Sequence, residues 1–189
     1  MKRDEMIRIL DNAKAISVAV IGDFALDRYF IIDTNLNEPS LETGLIAYQV
    51  VETTKSPGAS GSVARNLSSI GAGSVYAVGI GGLDGGGYDL KEELDRFSIN
   101  DDYLVRSNAV VTPQYIKTVH LSKGSRAESN RLDIKNFRPT PSEIEQKVYD
   151  NLSDIFDKCH AIVILDQMAE SNCGVITEKI RKRLVELAK

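Results

Sequence analysis

The chain lacks tryptophan altogether and has only two cysteines, two histidines and five prolines in 189 residues. Cys159 and Cys173 show no metal-ligand spacing and are too few for a disulfide scaffold; each lies beside an apolar segment and reads as a buried free thiol. His120 and His160 are isolated in sequence, so packing is expected of them and no metal site. A basic excess is missing too: 23 Lys and Arg face 27 Asp and Glu, a net charge of −4. That excludes a nucleic-acid binder that works by neutralising phosphates. The densest basic cluster, Lys179, Arg181, Lys182 and Arg183, is interleaved with Glu178 and Glu186, the pattern of a solvated helix face. No apolar run approaches membrane-spanning length, which argues against a membrane partner. The opening MKRDEMIRILDNAK has the spacing of a short amphipathic helix and too many charges for a signal peptide. A cytoplasmic protein is expected.

What is present is an ordinary globular composition, 42% hydrophobic and 26% charged, in a chain long enough for one domain with a real core. Its most informative stretch is residues 57–81, PGASGSVARNLSSIGAGSVYAVGIG. Gly58 and Gly61 stand among small residues at a helix mouth, and Val63, Leu67 and Ile70 follow at helical spacing. Gly71 suits a left-handed C-cap. A β-rich run, Val75–Val78, and then Gly79, Gly81 and Gly82 come next. A glycine-rich entry lets a ligand approach the unpaired N–H groups of a first helical turn; a tight turn without a ligand explains the same residues.

The remaining segments set the order. ISVAVIG, residues 16–22, is a short continuous apolar run, as in a strand buried on both faces of a parallel sheet. Arg28–Asp33 and Ile46–Thr53 are β-prone but less apolar, as are Gln114–Leu121 and Ser129–Ile134, the latter pair joined by the loop SKGSRAE. Tyr88, Leu90, Leu94 and Phe97 mark a helix face, and Val105 lies in a short strand. Thr140 and Pro141 open a helix lined by Ile144, Val148, Leu152 and Ile155. Ala161–Leu165 is a second all-apolar strand. A last helix, about Val175–Leu187, presents Ile176, Ile180, Leu184 and Leu187. Alternating apolar strands and amphipathic helices imply a doubly wound, mostly parallel sheet. The two less apolar pairs fit a small separate sheet. The glycines at 85–87 read as a flexible turn. They fail the spacing of a dinucleotide fingerprint, and no G-x-G-x-x-G follows residues 16–21, which argues against a dehydrogenase.

This arrangement resembles the PfkB/ribokinase family of carbohydrate kinases. Gly22-Asp23-Phe24-Ala25-Leu26-Asp27 is similar to the family's first strand end, where an aspartate binds sugar hydroxyls. Gly58–Gly81 resembles its first signature, and Gly79-Ile80-Gly81-Gly82-Leu83-Asp84 with Gly87 resembles VGxxGxDxxG. Within the family the chain looks nearest to the heptose-kinase branch of the ADP-heptose synthase type. The points of similarity are GDxxLDRY at Gly22–Tyr29, the Glu-Pro-containing loop at Glu38–Glu42 and the RLD of Arg131–Asp133. The resemblance implies an α/β fold with a ribokinase-like three-layer core, a mostly parallel sheet and a small β-sheet lid. The core would comprise residues 1–27, 54–112 and 136–189, the lid strands about 28–53 and 113–135. It implies phosphoryl transfer from ATP, with Mg2+, to a hydroxyl of a sugar or sugar phosphate, and a homodimer formed through the lid.

The chain departs from the family at several positions. Ala59 stands where a second glycine is usual, Ser62 where a sugar-binding asparagine is usual, and Pro57 and Ser60 also miss the signature. No DTxGAGD-like segment occurs, and no GxxxxGK[ST] loop replaces it. The catalytic base and most of the ATP and Mg2+ site are therefore expected in a C-terminal half that these residues do not include. The chain reads as the N-terminal sugar-binding and lid part of a kinase; the alternative is a non-catalytic sugar-binding or interaction module. Carried over by resemblance, Asp27 grips sugar hydroxyls, because a carboxylate accepts two such bonds at once. Gly58, Ala59 and Ser62 line the sugar floor, Arg131 and Asp133 belong to the lid, and Asp166 sits at the active-site edge beyond a strand's carboxyl end. Each has a plainer reading: a strand-end turn for Asp27, helix capping for the floor residues and Asp166, a surface ion pair for Arg131 and Asp133. Asp84 is expected to cap the helix after it.

Overall fold

The computed structural model describes residues 3–122 and 125–189; Met1, Lys2, Lys123 and Gly124, and with them parts of the expected N-terminal helix and of the loop SKGSRAE, lie outside the described residues. Helix α1 (Arg3–Ala13), none of whose residues is buried, leads to β1 (Ser17–Gly22) and β2 (Phe24–Asp33). A turn of 3-10 helix at Thr34–Leu36 precedes β3 (Glu38–Pro39), β4 (Ile46–Ala47) and β5 (Val50–Ala59). Then come α2 (Ser60–Ser69), β6 (Ser74–Gly82), α3 (Gly85–Arg96), β7 (Ile99–Ser107), β8 (Gln114–Ser122) and β9 (Ser125–Ile134). Helix α4 (Ser142–Lys158), β10 (Ala161–Leu165) and α5 (Glu178–Leu187) complete the series.

The core sheet has the order β10-β1-β6-β7, all parallel. Side chains alternate across its faces, as the period of two in a strand requires. Ala19, Ile21, Val78 and Ile80 pack on one face with Val148, Leu152 and Ile155 of α4 and Ile180 and Leu184 of α5. Val20, Val75 and Ala77 pack on the other with Ala64 of α2 and Leu90 and Leu94 of α3. The result is three layers, helices on both faces of a parallel sheet, with Leu90, Leu94, Leu152 and Ile155 fully enclosed. Burying one such side chain contributes about 1.5–3 kcal/mol.

The second sheet has the order β5-β2-β8-β9. Here β2 is antiparallel to β5 and parallel to β8, and β8 is antiparallel to β9. On one side it is fastened to the core by charge. Asp89 of α3 bonds Arg28 of β2 through one oxygen and Lys55 of β5 through the other (2.7 Å), and Lys55 also meets Glu92. Burial alone would raise the Asp89 pKa, but Lys55 and Arg28 outweigh it and hold the carboxyl below its ordinary value.

Several elements differ from the sequence reading. Ile46–Thr53 is not one strand: Ile46–Ala47 pairs with Glu38–Pro39 in a separate two-stranded ladder, after a turn at Gly44 with φ +70°. The lid strand begins at Val50 and runs to Ala59, directly into α2. Gly85–Gly87 are not a flexible turn but the first turn of α3, capped by Asp84, which accepts from the Gly87 N–H at 2.7 Å. A Cβ on Gly87 would stand 2.1 Å from the Gly82 carbonyl oxygen, so close approach requires glycine there. Tyr88 is 71% exposed because it sits two residues before Leu90, on the opposite side of the helix. Ile70 is likewise exposed, lying past the end of α2. Pro141, not Thr140, occupies the N-cap position of α4; the Thr140 hydroxyl donates instead to the Gly174 carbonyl at 2.7 Å. Helix α5 starts at Glu178 behind a Thr177 cap, with Val175 and Ile176 buried ahead of it. The expected short strand at Val105 is the nine-residue β7, and β9 begins at Ser125 rather than Ser129.

Candidate functional site

Asp27 opens onto a cavity of about 430 Å³ between the lid sheet and the carboxyl ends of the core strands. Strand register builds its lid wall. Asp27 on β2 pairs with Tyr115 on β8, which pairs with Asp133 on β9. Two residues along, Tyr29 pairs with Lys117, which pairs with Arg131. Residues i and i+2 share a face, so these six side chains form two adjacent rows on one side of the sheet. Arg28, between Asp27 and Tyr29, points the other way, to Asp89. Ala59, Gln167, Met168, Ala169 and Lys135 close the cavity.

The lining carries three cations, Lys117, Arg131 and Lys135, against two carboxylates, Asp27 and Asp133. Lys117 donates to the Tyr29 hydroxyl at 3.0 Å, lies 4.8 Å from that ring's centre, and is 3.7 Å from an Asp27 oxygen. The Tyr29 hydroxyl chiefly, and the Asp27 charge as well, raise the Lys117 pKa against the opposing effect of burial. Arg131 lies over the Tyr115 ring at 5.0 Å and is bonded to Asp133, which holds the Asp133 carboxyl below its ordinary value. Burial pushes the Tyr115 phenol up. Lys135 pairs with Glu170 at 2.7 Å, raising the lysine pKa and lowering the glutamate. A concave surface of this kind, with hydrogen-bonding groups of both charges, suits a polyhydroxy ligand bearing an anionic group.

The core side is set by backbone geometry. Ala59 precedes α2 with φ +50° and ψ −124°, a conformation that favours glycine. Gly58 stands beside Asp27: a Cβ on it would be 3.0 Å from Asp27 Oδ2. Gly58 therefore makes room for the carboxylate. Ser62 is turned away, its hydroxyl donating to the Pro57 carbonyl at 2.8 Å, and it does not line the cavity. Asp166 faces another recess of about 190 Å³, where it meets Arg181 at 3.2 Å. Of the residues named from sequence, the structure thus gathers Asp27, Ala59, Arg131 and Asp133 around one space, with Gly58 behind Asp27, and leaves Ser62 and Asp166 outside it. Tyr115, Lys117, Lys135 and Gln167–Ala169 were not singled out. The available signal was the shared spacing of Asp27-x-Tyr29, Tyr115-x-Lys117 and Arg131-x-Asp133.

Elsewhere, Asp84 accepts from the N–H groups of Gly87 (2.7 Å) and Thr112 (2.9 Å). Burial raises its pKa, but those N–H groups outweigh burial and the net direction is down. His160 Nδ1 accepts from the Ser17 N–H at 3.1 Å, tying β10 to β1, and His120 packs against Tyr48 with ring centres 5.2 Å apart. Cys173 is buried and Cys159 half-buried. Among the described residues, no three His, Cys, Asp or Glu converge on a metal position, and no helix is long and apolar enough to cross a membrane. A groove of about 570 Å³ between α4 and α5 is lined by ion pairs such as Lys179–Glu145 and does not include Asp27.

No protein-family model matches the chain. It is 30% identical over 181 residues to the bifunctional protein HldE of Rhodopseudomonas palustris (strain BisB5), covering 96% of this chain and 35% of that protein. Against the bifunctional protein HldE of Nitrobacter winogradskyi it is 28% identical over 173 residues, covering 92% and 34%. The chain thus spans about a third of the length of the curated relatives it matches. Among solved structures, phosphofructokinase-2 from Escherichia coli, in complex with fructose-6-phosphate, superposes with a TM-score of 0.58 at 16% identity, over 92% of this chain and 50% of that one. A carbohydrate kinase from Agrobacterium tumefaciens does so with 0.58 at 17% identity and the same coverage. The fold is that of the ribokinase-type carbohydrate kinases, and the resemblance to the heptose-kinase branch read from the motifs is matched by the HldE relatives.

Proposed function

From this kinship we propose that the chain is the sugar-gripping and lid portion of an ATP-dependent carbohydrate kinase whose acceptor is a sugar phosphate. One observation carries the reading: Asp27, Tyr115 and Asp133 in one row of the sheet and Lys117 and Arg131 in the next line a cavity with more cations than carboxylates. Asp27 accepts bonds from sugar hydroxyls, and Lys117, Arg131 and Lys135 attract the phosphate already on the sugar. Gln167–Ala169 and Ala59 shape the space around the sugar body. ATP, bound with Mg2+, supplies the transferred phosphoryl group. Among the described residues none form a metal cage, so no step is assigned to Mg2+ here; this chain's part is to bind and orient the accepting hydroxyl. A DTxGAGD-like segment, which would hold the base, is not among these 189 residues. The reading also includes self-association through the lid, where Leu45, Ile46, Val50 and Val51 are exposed.

The test is a titration of the chain with mannose 6-phosphate, fructose 6-phosphate and sedoheptulose 7-phosphate, followed by amide NMR. At least one should saturate and shift the signals of Asp27, Ala59 and Lys117. Asp27→Asn should weaken that binding by about tenfold, the loss of one charge-assisted bond. Binding that ignores the Asp27 change, or no binding by any of the three, would end the proposal.

A further inference from the structure

Asp23 is 4% exposed, and all three bonds its carboxylate accepts come from main-chain N–H groups of one loop. Oδ2 takes those of Gln167 (2.9 Å) and Met168 (3.0 Å), and Oδ1 takes that of Val175 (2.8 Å). The loop joins β10 to α5 and supplies the Gln167–Ala169 wall of the cavity. Its return limb is built around the carboxylate: a Cβ on Gly174 would stand 2.4 Å from Asp23 Oδ1. The Asp23 main chain reaches the opposite side of the cavity, because its carbonyl accepts from the Ser60 N–H at 2.9 Å, the residue after Ala59.

Resting on the site proposed above, we infer that Asp23 is a positioning residue: it touches no substrate, and it fixes the Gln167–Ala169 wall at a set distance from the Ala59 floor and from Asp27. A neutral side chain would not hold both limbs. An asparagine keeps one acceptor oxygen, and its NH2 group then opposes either the Val175 N–H or the Gln167 and Met168 pair. The wall would shift, and Lys135 with it through its pair with Glu170 of the same loop, while Lys117 and Arg131 stay in place, held by Tyr29, Tyr115 and Asp133. Small displacements of a binding wall are costly for ligands that fill the space and of little consequence for those that do not.

Asp23→Asn is compared with the unaltered chain using two probes, the tightest-binding of the three sugar phosphates and inorganic phosphate. Sugar-phosphate affinity should fall by about tenfold or more, while inorganic phosphate binding, for which the lid-held Lys117 and Arg131 suffice, stays within about twofold. A parallel loss for both probes marks a merely structural role and overturns the inference, as does unchanged sugar-phosphate binding. Should Asp23→Asn not fold, Gly174→Ala displaces the loop with the carboxylate intact and should give the same split. The unaltered chain failing to bind any sugar phosphate defeats the site reading itself, an outcome distinct from a site that binds and ignores Asp23.

Discussion

The Arg131 guanidinium forks onto the Asp133 carboxylate two residues along the same strand, with Nε–Oδ1 at 2.6 Å and Nη2–Oδ2 at 2.8 Å. The fork fixes the plane of the guanidinium over Tyr115 and aims it into the cavity. We expect Arg131→Met to weaken sugar-phosphate binding by about tenfold. The melting temperature should hardly move, since an exposed pair adds little to folding. Titration and thermal unfolding of the same sample check both halves; a large drop in melting temperature with unchanged affinity would assign the pair to stability instead.

Ala59 carries a positive φ that an L side chain resists. Ala59→Gly should therefore stabilise the protein by about 1 kcal/mol, raising the melting temperature by roughly 2–4 °C. Ala59→Val should lower it, because a branched side chain is worse in that region. Differential scanning calorimetry decides; a destabilised glycine variant would mean that the backbone there is not strained.

Asp89 predicts an acid limb. Its folded pKa is depressed, so its stabilising contribution is complete above the ordinary aspartate value and lost as pH falls through the lower folded value. Lys55 runs the other way: its raised pKa, due first to Asp89 and then to Glu92, gives a contribution present below the ordinary lysine value and lost as pH rises through the folded one. Asp89→Asn should cost about 1–2 kcal/mol near neutral pH. Urea unfolding across pH should show the variant and the parent converging in acid. A difference that is flat with pH would count against the ion pairs.

The lid proposal predicts an oligomer that charge can break. Tyr48 is 53% and Val50 44% exposed. Tyr48→Glu together with Val50→Glu should yield monomers in sedimentation if the lid is the interface. Dimers that persist would place the contact on another face.

Legibility in the sequence followed the range of the interactions involved. Helices α4 and α5 and strand β1 announce themselves through local periodicity and a short apolar run, because burial on one stripe or both faces leaves that imprint; β10 carries the same apolar run although none of its residues is buried. Tyr88 was misplaced because its apolar ring resembles a core residue while its position on the helix does not. Val50–Ala59 was missed in part because Glu52, Thr53, Thr54 and Lys55 show no apolar alternation to mark the strand. Asp27 came from family resemblance. Arg131, Asp133, Gly58 and Ala59 came from it too, but Tyr115 and Lys117 did not, since Lys117 reaches Tyr29 across 88 residues of sequence and only the parallel pairing of β2 with β8 brings them together.

Strand β1 ends at Gly22 and β2 begins at Phe24, so a single residue carries the chain from one sheet to the other. This makes the crossing intolerant of length change. One residue inserted or deleted there would turn β2 over: Arg28 would face the cavity and Asp27 would face α3, exchanging both rows of contacts at once. The segment from Thr34 to Gln49 bears no such constraint, because it leaves and rejoins the lid sheet through its own small ladder. Among homologous chains, insertions should therefore collect in that outer segment, and the spacing from Gly22 to Asp27 should be invariant.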